Sequence, residues 1–169
     1  MDRDAFRRNA EEVFGTVGEA MTANVLTFEP EDRASDAALR LGLHKVAGAP
    51  VLRDGRVVGI LTLSDLLEHE GHATSQTSGP FLRGERHLAS LTVADVMTMR
   101  VVTIRATEPL IRAIDLMDAV GVNRLPVVNE QERSVGILAR DDVIRTIARV
   151  VRDLVPAKAH PGAPELEAD

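Results

Sequence analysis

The chain has no cysteine, tryptophan or tyrosine, and aromatic residues make up only 2% of its 169 positions. Without cysteine there is no disulfide, no thiolate metal ligand and no cysteine nucleophile, so the fold rests on packing alone, as suits a reducing compartment. Without Trp or Tyr it lacks the stacking platforms on which single-stranded nucleic acids are held. A net charge of -6 with scattered arginines argues against general attraction to a phosphate backbone, which needs clustered cations. No charge-free apolar run approaches the roughly 20 residues of a membrane span, and the opening "MDRDAFRRNAEEVF" is too charged for a secretory signal. The expectation is a cytoplasmic protein with neither membrane nor nucleic acid as partner. G-x-S-x-G, G-x-x-x-x-G-K and H-E-x-x-H are also missing, and no serine or aspartate has an evident partnered base. No catalytic constellation is therefore evident in the sequence.

What is present is a duplication. With 44% apolar residues the chain can bury a real core, and the apolar residues recur in two ordered sets. Val17-Gly-Glu-Ala-Met-Thr22 aligns with Val93-Ala-Asp-Val-Met-Thr98, "VLT" at 25–27 with "VVT" at 101–103, and "APVL" at 49–52 with "LPVV" at 125–128, always 76 residues apart. One extra residue in the second hairpin raises the offset to 77, which places "GILTLSDLL" at 59–67 on "GILARDDVI" at 136–144. Two copies at so long a period suggest half-domains that bury apolar faces against each other, not a solenoid.

Within each copy the periodicities predict β-α-β-β-α. Residues 25–28 and 101–104 read as short strands. "EDRASDAALRLGLHK" and "EPLIRAIDLMDAVG" space apolar residues as amphipathic helices do, with Pro109 in the first turn and Gly121 as C-terminal cap. "APVLR" and "RVVGIL" form a hairpin across Asp54-Gly55, the second copy using the longer turn "NEQER". "SDLLEHE" and "DDVIRTIARVV" close the copies as helices. The chain thus divides into an N-terminal helical extension (1–14), a first repeat (15–69), a polar linker (70–90), a second repeat (91–152) and a tail (153–169) that lacks periodicity and is expected to be disordered.

The ordered set "V-x-x-x-M-T", "V-x-T", "V-N-R-L-P-V-V", hairpin and "G-I-L-T-x-x-D" resembles a tandem pair of CBS domains, the cystathionine-β-synthase-type repeats of a Bateman module, over about residues 15–68 and 91–150. The resemblance implies a mixed α/β (α+β) fold of two repeats packed with pseudo-twofold symmetry. It also implies two clefts for adenosine-type ligands (AMP, ADP, ATP or S-adenosylmethionine), assembly into disc-like homodimers, and signalling to an unknown regulated protein. The resemblance further implies that the nucleotide would be a regulatory ligand, with no cofactor required. One cleft is expected to combine Thr62, Ser64, Asp65, Ala47 and Gly48 with Met99 and Val122. The other combines Asp142, Asp141, Asn123 and Arg124 with Ala23 and Val46.

The chemistry fits these residues. A carboxylate can accept two charge-assisted hydrogen bonds from a ribose diol, and Asp65 and Asp142 are placed for that. Arg124, whose first-repeat counterpart is Gly48, suits a phosphate. Thr62-Leu-Ser-Asp65 equally has the spacing of a capping box. Where Ala139 replaces the threonine, Asp141 is a candidate cap for the second helix. Two other readings stand beside nucleotide binding: a ligand-free homodimerising module, and a divalent-cation sensor through Asp141 and Asp142. His69 and His72, near Glu68 and Glu70, have zinc-ligand spacing, although polar linker composition accounts for them equally; no metal site is assigned. Met21, Met97 and Met117 read as packing residues.

Overall fold

The structure is a computed structural model that describes residues 10–71 and 88–154. The start of the extension, most of the expected linker with His72 and His87, and all but the first residues of the tail lie outside the described residues. The elements are α1 (10–14), α2 (Val17–Ala20), β1 (Thr22–Ala23), α3 (Ala34–His44), β2 (Gly48–Arg53), β3 (Arg56–Thr62) and α4 (Leu63–Gly71). The second half adds α5 (Val93–Val96), β4 (Ile104–Arg105), α6 (Leu110–Val120), β5 (Arg124–Val128), β6 (Ser134–Ala139) and α7 (Arg140–Leu154).

The fold is mixed α and β in two similar halves. Asp54 and Gly55 have φ of 52° and 76°, the paired positive angles of a type I′ turn, whose twist matches the β2–β3 hairpin. In the second hairpin Asn129 holds the longer turn: its Oδ1 accepts the backbone N–H groups of Gln131 and Arg133, both at 3.0 Å. Gly121 caps α6 in the left-handed conformation, and Pro109 stands at the cap position, one residue before the first helical turn.

The expected strands at 25–28 and 101–104 are shorter than the sequence suggests. The first shrinks to one parallel bridge, Phe28 to Val51. The second begins only at Ile104, which pairs in parallel with Val127. A strand needs a ladder partner, and these segments reach a neighbour only at their ends; Leu26 instead packs against the core. The strand that does form near the start is Thr22–Ala23, and it ends where Asn24 turns to φ 52°, a left-handed angle that asparagine tolerates.

That strand joins the wrong repeat. The sheet order is β1-β6-β5-β4, with Thr22 opposite Ile137 and Ala23 opposite Gly136. Reciprocally, Thr98 bridges Ile60 in the β2–β3 sheet. Each opening segment therefore crosses to the other half. The N–H groups of Val17 and Gly18 donate to Glu108 and Ala106, and those of Val93 and Ala94 to Asp32 and Pro30, all at 2.8 to 2.9 Å. The cores follow suit: Val17 is buried with Ile104, Leu110, Leu125 and Leu138, while Leu88, Val93 and Val96 are buried with Phe28, Leu41, Val51 and Leu61. Burying such a side chain is worth about 1.5–3 kcal/mol, so neither half completes its core alone.

Close approach makes the crossing possible. A Cβ on Gly136 would lie 2.5 Å from the Thr22 carbonyl oxygen, and one on Gly59 would lie 2.4 Å from Met97 Sδ. Both are the glycine of "V-G-I-L", so each repeat provides a gap in its sheet for the other's "M-T". Among the described residues no helix is long and apolar enough to cross a membrane.

Candidate ligand-binding site

The two signature carboxylates sit where the crossing strands meet the last helix of each repeat. Thr62 caps α4, and Asp65 Oδ2 accepts both the Thr62 N–H and the Thr62 hydroxyl at 2.7 Å, while the Asp65 N–H reaches Thr62 Oγ1 at 3.3 Å. The capping box foreseen in the spacing is thus formed. The other oxygen is engaged across the repeats: Thr98 donates its hydroxyl to Asp65 Oδ1 at 3.1 Å.

Asp142 repeats the geometry with one group exchanged. Its Oδ2 accepts the Ala139 N–H at 2.7 Å, and its Oδ1 faces the hydroxyl of Thr22 at 3.5 Å. Ala139 offers no hydroxyl, and the guanidinium of Arg145 pairs with Oδ1 instead. The carboxylate closing the first turn of α7 is therefore Asp142; Asp141, the expected substitute cap, is exposed. Asp142 is 5% exposed, whereas Asp65 is partly open.

The residues around the two aspartates are also related by the duplication. Ala47 accepts the Leu63 N–H at 3.1 Å and Asn123 the Arg140 N–H at 2.9 Å, so both start the helix that carries the aspartate. Gly48 faces Thr62 across the hairpin and Arg124 faces Ala139. Ser64 is exposed on the first turn of α4, and Met99, 70% exposed, follows Thr98 directly. Ala23 stands next to Thr22, beside Asp142. Val46 is exposed after α3, while its counterpart Val122 packs against the second core.

Thr22, Thr98 and Arg145 were missed in the sequence. The first two are legible in retrospect as the threonine of "V-x-x-x-M-T", duplicated with the aspartate. His69 Nδ1 donates to the Asp65 carbonyl at 2.9 Å, and among the described residues no three groups gather as metal ligands.

Two further carboxylates brace the crossing helices. Glu19 Oε2 accepts the Thr16 N–H at 2.7 Å and Asp95 Oδ2 accepts the Thr92 N–H at 2.8 Å. These backbone bonds, then the threonine hydroxyls, hold both carboxyls below their ordinary pKa; Arg149 adds to the effect on Glu19 and His69 to that on Asp95.

A duplicated unit with exchanged openings and one hydroxyl-braced carboxylate per repeat defines a paired-repeat module. The CBS domain pattern matches residues 17–72 and 93–149, and the chain belongs to the CBS domain family, as two repeats. It is similar to the CBS-pair protein CBSX2 from Arabidopsis thaliana, at 30% identity and a TM-score of 0.69 over 81% of this chain and 96% of that one. A CBSX2 structure in complex with AMP gives 29% identity and a TM-score of 0.67, over 81% and 98%. The CBS domain pair of MJ0100, in complex with 5-methylthioadenosine and S-adenosyl-L-methionine, shares the fold at 22% identity and a TM-score of 0.65, over 79% of this chain and 99% of that one. Among curated relatives, MJ1232 of Methanocaldococcus jannaschii is 26% identical over 132 residues, 78% of this chain but 39% of its own length. An inosine-5'-monophosphate dehydrogenase of that organism is 27% identical over 128 residues, 75% of this chain and 22% of the enzyme.

Proposed function

We propose that the chain is a regulatory module, not a catalyst, that binds an adenosine-type ligand at Asp65 and reports its occupancy to a partner protein. The carrying observation is the Asp65 carboxylate, partly exposed and held by one threonine from each repeat. An ionised carboxylate has about four acceptor sites; three are occupied here, and the remaining one on Oδ1 can accept a ribose hydroxyl. A second hydroxyl of the diol competes with Thr98 for the same oxygen. Ligand binding at Asp65 thereby acts on the contact that joins the repeats, and a difference in affinity between two arrangements is what regulation requires.

Asp142 is the weaker position in this reading, because it is more deeply buried and already paired with Arg145. Arg124, partly buried opposite Ala139, is the candidate phosphate partner. The CBSX2 complex with AMP supports a nucleotide as ligand; AMP, ADP, ATP and S-adenosylmethionine share the adenosine handle. The working place is the cytoplasm, with no resident cofactor and no contact with membrane or nucleic acid.

Calorimetric titration with these four ligands, repeated with Asp65→Asn and Asp142→Asn, tests the reading. Saturable binding lost in Asp65→Asn, with melting still cooperative, is expected. Absence of binding at micromolar affinity or better by any of them would leave the ligand-free interaction module. One observation favours assembly in either case: Leu39, Leu43, Leu63 and Leu67 on α3 and α4 are 41 to 72% exposed, while their second-repeat counterparts are Asp115, Ala119, Arg140 and Ile144. We infer that a homodimer meets through this face of the first repeat.

A further inference from the structure

A groove of about 550 Å³ runs between α2 and α7, with Glu19 and Thr22 on one wall and Asp142, Arg145, Thr146, Arg149 and Arg152 on the other. The groove shares Thr22 and Asp142 with the second expected adenosine cleft, but its lining includes none of that cleft's other residues, Ala23, Val46, Asn123, Arg124 and Asp141. The volume is in the range of small-molecule sites. Thr146, although only 7% exposed, is among the lining residues.

Its charge stands out against the rest of the molecule. Three guanidinium groups face two carboxylates in a chain whose net charge is -6. The framework does not demand these cations. By the duplication Glu19 and Asp142 correspond to Asp95 and Asp65, Arg145 to Glu68, and Arg149 and Arg152 to His72 and Ser75, so none of the three arginines has an arginine as its counterpart. The second repeat alone carries arginines at these positions of the duplicated sequence.

The cations are also positioned. Arg145 is paired with Asp142, and Arg149 lies near enough to Glu19 to help lower its pKa, after the two Thr16 hydrogen bonds. Each guanidinium has five N–H donors, so pairing with one carboxylate orients the group and leaves donors over. Residues 145, 149 and 152 follow one helix face, and seven residues of helix extend about 10 Å. A single phosphate meets one or two such groups; a linear chain of phosphates meets all three bidentately. We propose that the α2–α7 groove is an oligophosphate-binding site, separate from the cleft at Asp65.

The test is calorimetric titration of the full chain with inorganic tripolyphosphate and with orthophosphate at low ionic strength. Tripolyphosphate is expected to bind saturably, at least about ten-fold tighter than orthophosphate. Arg149→Gln/Arg152→Gln should weaken it at least about ten-fold, while Arg53→Gln/Arg56→Gln, two arginines on the β2–β3 hairpin, leaves it unchanged. Equal weakening by both pairs, no binding of tripolyphosphate, or equal affinity for an oligoglutamate of matched charge would each overturn the assignment. Competition by ATP, retained in Asp65→Asn, upholds the site with a nucleotide tail as the source of the phosphates; absence of competition upholds it for free oligophosphate.

Discussion

Gly48 and Thr62 face each other across the first hairpin, and a Cβ on Gly48 would come within 3.0 Å of the Leu61 carbonyl oxygen and 3.1 Å of Thr62 Cγ2. In the second repeat the same two positions hold Arg124 and Ala139. The larger side chain has changed strands, so Thr62 and Ala139 are each one half of a compensated pair. Gly48→Ala is expected to cost about 1–3 kcal/mol by overpacking, and Thr62→Ala about 0.5–2 kcal/mol through the lost cap. In the double variant one of the two tight contacts is gone, and a coupling of about 0.5 kcal/mol or more should appear in denaturant unfolding. Strict additivity would show that the pair is independent.

The crossing of the openings makes a second prediction. Gly136→Ala places a methyl group against the backbone of Thr22, and backbone cannot swing aside as a side chain end can. We expect a loss of about 1–3 kcal/mol and a lower Tm. Gly42→Ala is the control: its Cβ meets nothing within 4 Å and lies inside α3, so stability should rise by about 0.5–1 kcal/mol. Unchanged melting of Gly136→Ala would mean that the strand exchange tolerates a wider gap.

Acid sensitivity follows from Glu19 and Asp95. Their pKa values lie below the ordinary 4.5 and 3.8, because the ionised forms accept the backbone N–H groups and then the hydroxyls of Thr16 and Thr92. The unfolded chain therefore binds more protons than the folded one in this range, and stability rises with pH. The contribution is complete above the ordinary values and is lost as pH falls through them toward the lowered folded ones. Glu19→Gln/Asp95→Asn should flatten the dependence of Tm on pH below 4.5; an unaltered slope would assign it to other carboxylates.

Assembly is read most directly from mass. Sedimentation of the wild type should give a dimer, and Leu43→Glu/Leu67→Glu should give a folded monomer, since both leucines are more than 60% exposed and charge on an apolar contact is costly. A dimer that survives the change would place the interface elsewhere.

Much of the local structure was legible. The period of the apolar residues placed α3, α6 and the two hairpins, and Thr62-x-x-Asp65 announced its own capping box, because caps and turns depend on neighbours in sequence. The strands at 25–28 and 101–104 were overestimated because ladder partners are not local. Thr98 and Thr22 were overlooked as partners of Asp65 and Asp142 because they come from the opposite repeat.

By itself, then, the sequence determined the duplication, the order of helices and hairpins, and the residue types able to hold a ribose or a phosphate. These are matters of spacing and side-chain chemistry. Tertiary structure alone decided that each repeat lends its opening to the other's core, which carboxylate is bridged by which threonine, and that Arg145, Arg149 and Arg152 line a groove with Glu19. Those relations join residues 33 to 133 positions apart, and only the packing of two incomplete cores against each other brings them together.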